Sequence, residues 1–150
     1  EMLMNPYYSI CGAILLAFSP VPIRVSILAG ASGGLLKYNN VNPRSALEEL
    51  SAKDKISQDK AETAKRLTAA QANGWENLPI FIGAVLAAIQ AGVDKEALGS
   101  ACASYLACRT VFNVSYFIGG APLSWVRSFA FVGGMGSCVY LYAQAAANYK

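Results

Sequence analysis

Apolar residues along this chain fall in long blocks, and nearly all the polar ones lie between Lys37 and Glu76. A helix that crosses a bilayer needs about 20 mostly apolar residues. Four stretches qualify, at about 7–36, 74–93, 97–118 and 123–147, with a polar loop expected over 37–72. Ser19-Pro20-Val21-Pro22 interrupts the first and predicts a kink, since each proline removes a backbone donor. The second is continuously apolar from Leu78, and its polar foot from Leu67 to Asn77 has good helix formers that extend the helix outward. Asp94-Lys95-Glu96 makes a tight polar turn, and Gly119-Gly120-Ala121-Pro122 separates the third stretch from the fourth. The pattern predicts an all-α fold: one integral membrane four-helix bundle over residues 1–150.

Composition strengthens that reading. Hydrophobic residues make up 55% of the 150 and charged ones 14%, with a mean hydropathy of +0.36. Soluble domains carry roughly 25% charged residues. A chain this short cannot hide so much apolar surface from water, because small domains have a high surface-to-volume ratio. Lipid bilayer is therefore the expected surrounding. The first stretch is too long for a signal h-region and lacks a basic n-region. Gly133, Gly134 and Gly136 permit close helix contact.

Basic residues set the expected orientation. Between Lys37 and Ala72 lie seven of the twelve Lys and Arg. By the positive-inside rule this segment belongs on the cytosolic or stromal-like side, with both termini opposite. The net charge of +3 and the lack of a basic, aromatic-rich run argue against nucleic acid as a partner. Without histidine, no imidazole can serve as metal ligand or general base. Cys11, Cys102, Cys108 and Cys138 stand singly in apolar surroundings and read as small buried hydrophobes, so no metal site is expected.

Polar residues converge on the loop side. Arg66, Ala69, Asn73 and Glu76 recur at helical spacing, as do Arg109, Asn113 and Tyr116, while Arg127-Ser128 opens the fourth helix. Together they would line a pocket for a polar anionic ligand, since guanidinium binds carboxylate bidentately. A purely structural alternative stands beside it: Glu76 neutralises Arg109 or Arg127, and Asn113 makes an interhelical hydrogen bond. Arg24 either lines the pocket or snorkels to the interface.

Several runs resemble the membrane-associated proteins in eicosanoid and glutathione metabolism (MAPEG). They are Tyr38-Asn39-Asn40-Val41-Asn42-Pro43-Arg44, the stretch from Ala70 to Phe81 containing Asn73-Gly74-Trp75-Glu76-Asn77-Leu78-Pro79, Arg109 through Tyr116, and Arg127-Ser128. The resemblance runs from Lys37 onward. It implies a trimer of four-helix subunits with glutathione bound between subunits on the cytosolic face. Asn73, Glu76, Tyr116 and Arg127 match positions of that site, and Arg109 matches the arginine of the third-helix motif. The resemblance assigns Arg127 to the glutathione thiolate, and Arg66 and Ser128 complete the candidate binding set.

Departures from the family pattern stand at the same place. Ala69 and Ala72 replace arginines, Gln71 a frequent histidine, Phe112 a polar group and Phe131 a tyrosine. Each charged hydrogen bond lost would cost about 1.5–3 kcal/mol, so two would weaken binding by a factor of roughly 10² to 10⁴. Arg66 lies about 4.5 Å along the helix from position 69 and would partly substitute. Three readings follow: a glutathione transferase or peroxidase acting on a lipophilic electrophile, a non-catalytic accessory subunit of a larger membrane complex, and an isomerase or cyclase on the same scaffold.

Overall fold

The computed structural model describes residues 4–149, and its secondary structure is entirely helical. In chain order the helices are α1 (Pro6–Phe18), α2 (Pro20–Ser32), α3 (Ala46–Ala52), α4 (Gln58–Gln90), α5 (Lys95–Ile118) and α6 (Ala121–Asn148), with a 3-10 turn at Leu35–Lys37. The α4 helix is the hub, packing against α1, α2, α5 and α6, while α1 also packs on α5 and α5 on α6.

The first apolar stretch breaks where its prolines require. Asn5 caps α1, its side chain accepting from Tyr7 N at 2.9 Å and Tyr8 N at 3.3 Å. Pro20 has no N–H to give to the Leu16 carbonyl, the usual partner four residues back. Two side chains supply the missing donor: Ser19 Oγ at 2.9 Å and, from α5, Asn113 Nδ2 at 2.8 Å. Asn113 thus closes the kink between α1 and α2, as the structural alternative expected, rather than facing a ligand.

Two expected boundaries are corrected. The first stretch ends at Ser32, not near 36, because Gly33 adopts a left-handed φ of 87°. Gly33 N then bonds Gly30 O at 3.2 Å and Gly34 N bonds Ala29 O at 2.8 Å, which closes the helix end. The polar segment over 37–72 is not one loop. It contains α3 and the first half of α4, which begins at Gln58 instead of 74. Ala61, Ala64, Leu67, Ala70 and Gly74 recur every three or four positions and are buried, so a narrow stripe of small residues holds a helix that is polar elsewhere. Before α3, Asn39 Oδ1 accepts from Val41 N at 3.1 Å, and Ser45 Oγ donates to Glu49 Oε1 at 2.6 Å. The hydrogen bonds from Ser45 and Asn39 hold the Glu49 carboxyl below its ordinary value.

Two apolar clusters hold the bundle. The larger joins α1, α4, α5 and α6 through Ala13, Phe81, Val85, Cys102, Tyr105 and Leu141, and the Phe81 and Tyr105 rings stack with centroids 3.8 Å apart. The smaller joins α2, α3 and α4 through Leu28, Tyr38, Ala46, Leu50 and Ala64. Cys102 and Cys138 are buried as expected, whereas Cys11 is exposed and Cys108 half-buried. Among the described residues, one helical rod, Pro6–Ser32, is long and apolar enough to cross a membrane, and most of it is unburied. Phe117, Trp125, Phe129, Val132 and Val139 of α5 and α6 also expose apolar side chains.

Gly74 sets the approach of α1 to α4. A Cβ there would stand 2.9 Å from Ala17 Cα, closer than packed atoms come. Gly74→Val is therefore expected to destabilise the detergent-solubilised protein by about 1–3 kcal/mol, read as a lowered Tm. Gly30→Ala, with nothing within 4 Å of its Cβ, is expected to leave Tm unchanged or raised. An unchanged Tm for Gly74→Val would mean that the two helices are not tightly apposed.

Candidate functional site

Helical spacing along α5 aligns positions 109, 112 and 116, and the short Gly119-Gly120 turn brings α6 back beside them. From these and α4 comes a continuous row of side chains. Asn73 Oδ1 accepts from Arg109 Nη1 at 2.9 Å. The Arg109 guanidinium lies over the Phe112 ring at 4.4 Å. Phe112 meets Tyr116 at 4.9 Å between centroids, and the Arg127 guanidinium lies over Tyr116 at 4.6 Å. Phe131 flanks Phe112 at 6.3 Å.

Arginine stands at both ends of this row, and among the described residues neither arginine is paired with a carboxylate. Among the described residues the ion pair found is Lys65–Glu62 at 3.0 Å, on the surface. Arg109 is 5% exposed, and its Nη2 is buried without an acceptor. Cation–π contact stabilises each guanidinium by about 0.5–2 kcal/mol without cancelling its charge. The site therefore stays electropositive and keeps donors available, which suits an anion.

The remaining candidates fall elsewhere. Glu76 is exposed and makes neither hydrogen bond nor ion pair, so the expected neutralisation of Arg109 or Arg127 by Glu76 is not observed. Arg66 does not substitute at position 69. Its Nε donates to Tyr116 O at 3.1 Å and its Nη2 to Thr63 Oγ1 at 2.8 Å, so it satisfies a free carbonyl in the last turn of α5. Gly119, with φ 73°, allows this approach, since a Cβ there would stand 2.7 Å from Arg66 Cζ. Ser128 Oγ donates back to Ser124 O at 3.0 Å and stays exposed. Gln71 and Ala72 line a separate cavity with Arg24 and Arg44.

Two members of the row are wholly apolar and were legible only as departures. Phe112 and Phe131 lack a polar group, yet Phe112 links Arg109 to Tyr116, the ring under Arg127. The signal available in the sequence was spacing, as 109, 112 and 116 lie on one helical face.

If Arg66 caps α5, Arg66→Met should cost about 1 kcal/mol and speed amide exchange in the last turn of α5. Exchange at the Asp94 end of α5 should not change. Equal acceleration at both ends, or none, would remove Arg66 from this capping role.

The family model for the MAPEG family matches residues 7–147. No curated protein and no solved structure gives a significant match. The matched span takes in α4, α5 and the start of α6, and with them every residue of the row from Asn73 to Arg127. The chain belongs to the MAPEG family and is a membrane protein of that family.

Proposed function

We propose that this protein crosses the bilayer four times, assembles as a homotrimer and binds glutathione at the Arg109–Arg127 end of the bundle. There it acts as a transferase or peroxidase on a lipophilic electrophile. The observation that carries the reading is the pair of arginines without carboxylate partners at the two ends of one aromatic row. Exposed apolar side chains on α1, α5 and α6 support multiple spans, with the basic segment between α2 and α4 on the cytosolic side.

In this reading Arg127 is the catalytic residue. A cation beside the thiol favours its anion and lowers its pKa, so the proton leaves to water at neutral pH. The sulfur then attacks the electrophilic carbon of a substrate arriving from the lipid, a C–S bond forms, and the leaving group departs with its electron pair. Arg109 and Asn73 hold a carboxylate, and Tyr116 orients Arg127. Glu76, exposed in the single chain, is free to take the glutathione amine at the contact with a neighbouring copy.

A second reading has its own observation. Arg66 is committed to the end of α5, and positions 69 and 72 are exposed alanines, so α4 brings no arginine of its own to the site. A non-catalytic accessory subunit of a larger membrane complex would have this arrangement.

Calorimetry on the detergent-purified protein separates the two. The enzyme reading expects measurable glutathione binding, tightened by Ala69→Arg/Ala72→Arg. It also expects ultraviolet thiolate absorbance from bound glutathione that disappears in Arg127→Ala. Binding with unchanged thiolate absorbance in Arg127→Ala would remove Arg127 from the chemistry. No binding by either the original chain or the double-arginine variant would favour the accessory subunit.

A further inference from the structure

A second electropositive site lies on a different face of α4. Thr68, Ala72 and Trp75 form a stripe set about 100° around the helix from Ala69, Asn73 and Glu76. With Arg24 of α2, Arg44 of the turn before α3 and Glu48 of α3, they line a cavity of ≈ 590 Å³ that is open to the surface. Lys65 also borders it, so three cations face one carboxylate. Lys65 is shared with Glu62 on the surface, which leaves Arg24 and Arg44 as the groups without a partner of opposite charge.

Arg24 is the unusual member. It sits in the apolar rod Pro6–Ser32, where a guanidinium is costly unless it finds anions or water. Its one hydrogen bond is long, from Nη1 to Thr68 Oγ1 at 3.4 Å, and its Nε is buried without an acceptor. Arg24 lies eight residues before the end of α2, about 12 Å along the helix. Trp75, partly exposed at the cavity wall, is a residue type that settles at the boundary between lipid and water. Basic recesses of this kind between membrane helices suit phosphate-bearing groups, because a guanidinium presents two parallel donors to phosphate oxygens.

We propose that this cavity is a binding site for an anionic phosphate group, held by Arg24 and Arg44 beside Trp75. Its volume accommodates a phospholipid headgroup, and the same donors would take free phosphate. The donors of this site, Arg24 and Arg44, are not those proposed for glutathione, although its wall includes Ala72, where an introduced arginine is expected to tighten glutathione.

Trp75 is a built-in reporter. The chain has two tryptophans, and the other, Trp125, is exposed on α6. In full-length protein carrying Trp125→Phe, purified in detergent, Trp75 fluorescence is titrated with inorganic phosphate, with dihexanoyl phosphatidic acid and with dihexanoyl phosphatidylcholine. The expected result is a saturable change with phosphatidic acid, weakened about tenfold or more by Arg24→Gln and by Arg44→Gln. Saturation by inorganic phosphate as well assigns the site to the free anion and headgroup alike, whereas saturation by phosphatidic acid alone assigns it to lipid. Should Arg24→Gln fail to fold, Arg44→Gln, in an exposed turn, still carries the test. The proposal is overturned by no change with either phosphate compound, by an equal response to the zwitterionic phosphatidylcholine, or by an unaltered response in Arg44→Gln. A fluorescence change with glutathione that blocks the phosphatidic acid response would also overturn it, because the cavity would then belong to the glutathione site.

Discussion

A buried guanidinium without a carboxylate is the feature around which this bundle is arranged. Moving a full charge out of water costs several kcal/mol even after relaxation, and an incomplete set of partners leaves part of that cost in place. Arg109 is offset by the Asn73 amide oxygen on α4 and by the face of Phe112 on its own helix. The first contact ties α5 to α4. The second begins the aromatic row that reaches Arg127 on α6. Had Glu76 closed an ion pair with Arg109, the charge would be quenched and the site would have little to offer an anion. Leaving it unquenched lowers stability and keeps a donor in reserve.

Backbone donors and acceptors are managed by the same rule, that a polar group removed from water needs a partner. Pro20 strands the Leu16 carbonyl, and Ser19 and Asn113 recover it. The last turn of α5 has carbonyls with no helical donor, and Arg66 takes one of them. Two polar residues that sit near the candidate site are thereby occupied with the backbone. Their roles connect the α1–α2 kink to α5 and the foot of α4 to the end of α5. Gly119 makes room for Arg66, and Gly74 for the separate approach of α1 to α4 at Ala17.

Much of the architecture was legible from the distribution of apolar and breaking residues. Pro20 and Pro22 marked the kink and Gly119-Gly120 the turn into α6, whereas Asp94-Lys95-Glu96, read as a turn before 97, is the capped first turn of α5, which starts at Lys95. The extent of α4 was harder to read. Its first half is stabilised by a narrow stripe in which Leu67 is the one large residue among alanines and Gly74, so polarity around the rest of the helix resembled a loop. Helical spacing grouped Asn73, Arg109 and Tyr116, and Arg127 was grouped with them as the opening of the fourth helix; the structure sets these four in one row. Spacing on one helix says nothing about a partner on another, which is why Arg66 and Asn113 were grouped with the pocket although the structure bonds them to carbonyls. Phe112 was overlooked for a chemical reason, since an apolar ring looks like a loss where a polar group is expected. Its π face nevertheless carries a partial negative charge that a guanidinium can use.

The contact between Asn73 and Arg109 tests this account most directly. A double-mutant cycle with Asn73→Ala, Arg109→Met and the pair, read by thermal and denaturant unfolding in detergent, isolates their coupling from other effects of each replacement. A charged hydrogen bond in a partly dehydrated setting predicts a coupling of about 1.5–3 kcal/mol. In the Arg109→Met background, Asn73→Ala should then cost almost nothing. Additive effects of the two replacements would contradict the account, because they would mean that the buried guanidinium does not depend on α4 and that the row from Asn73 to Arg127 is not one connected unit.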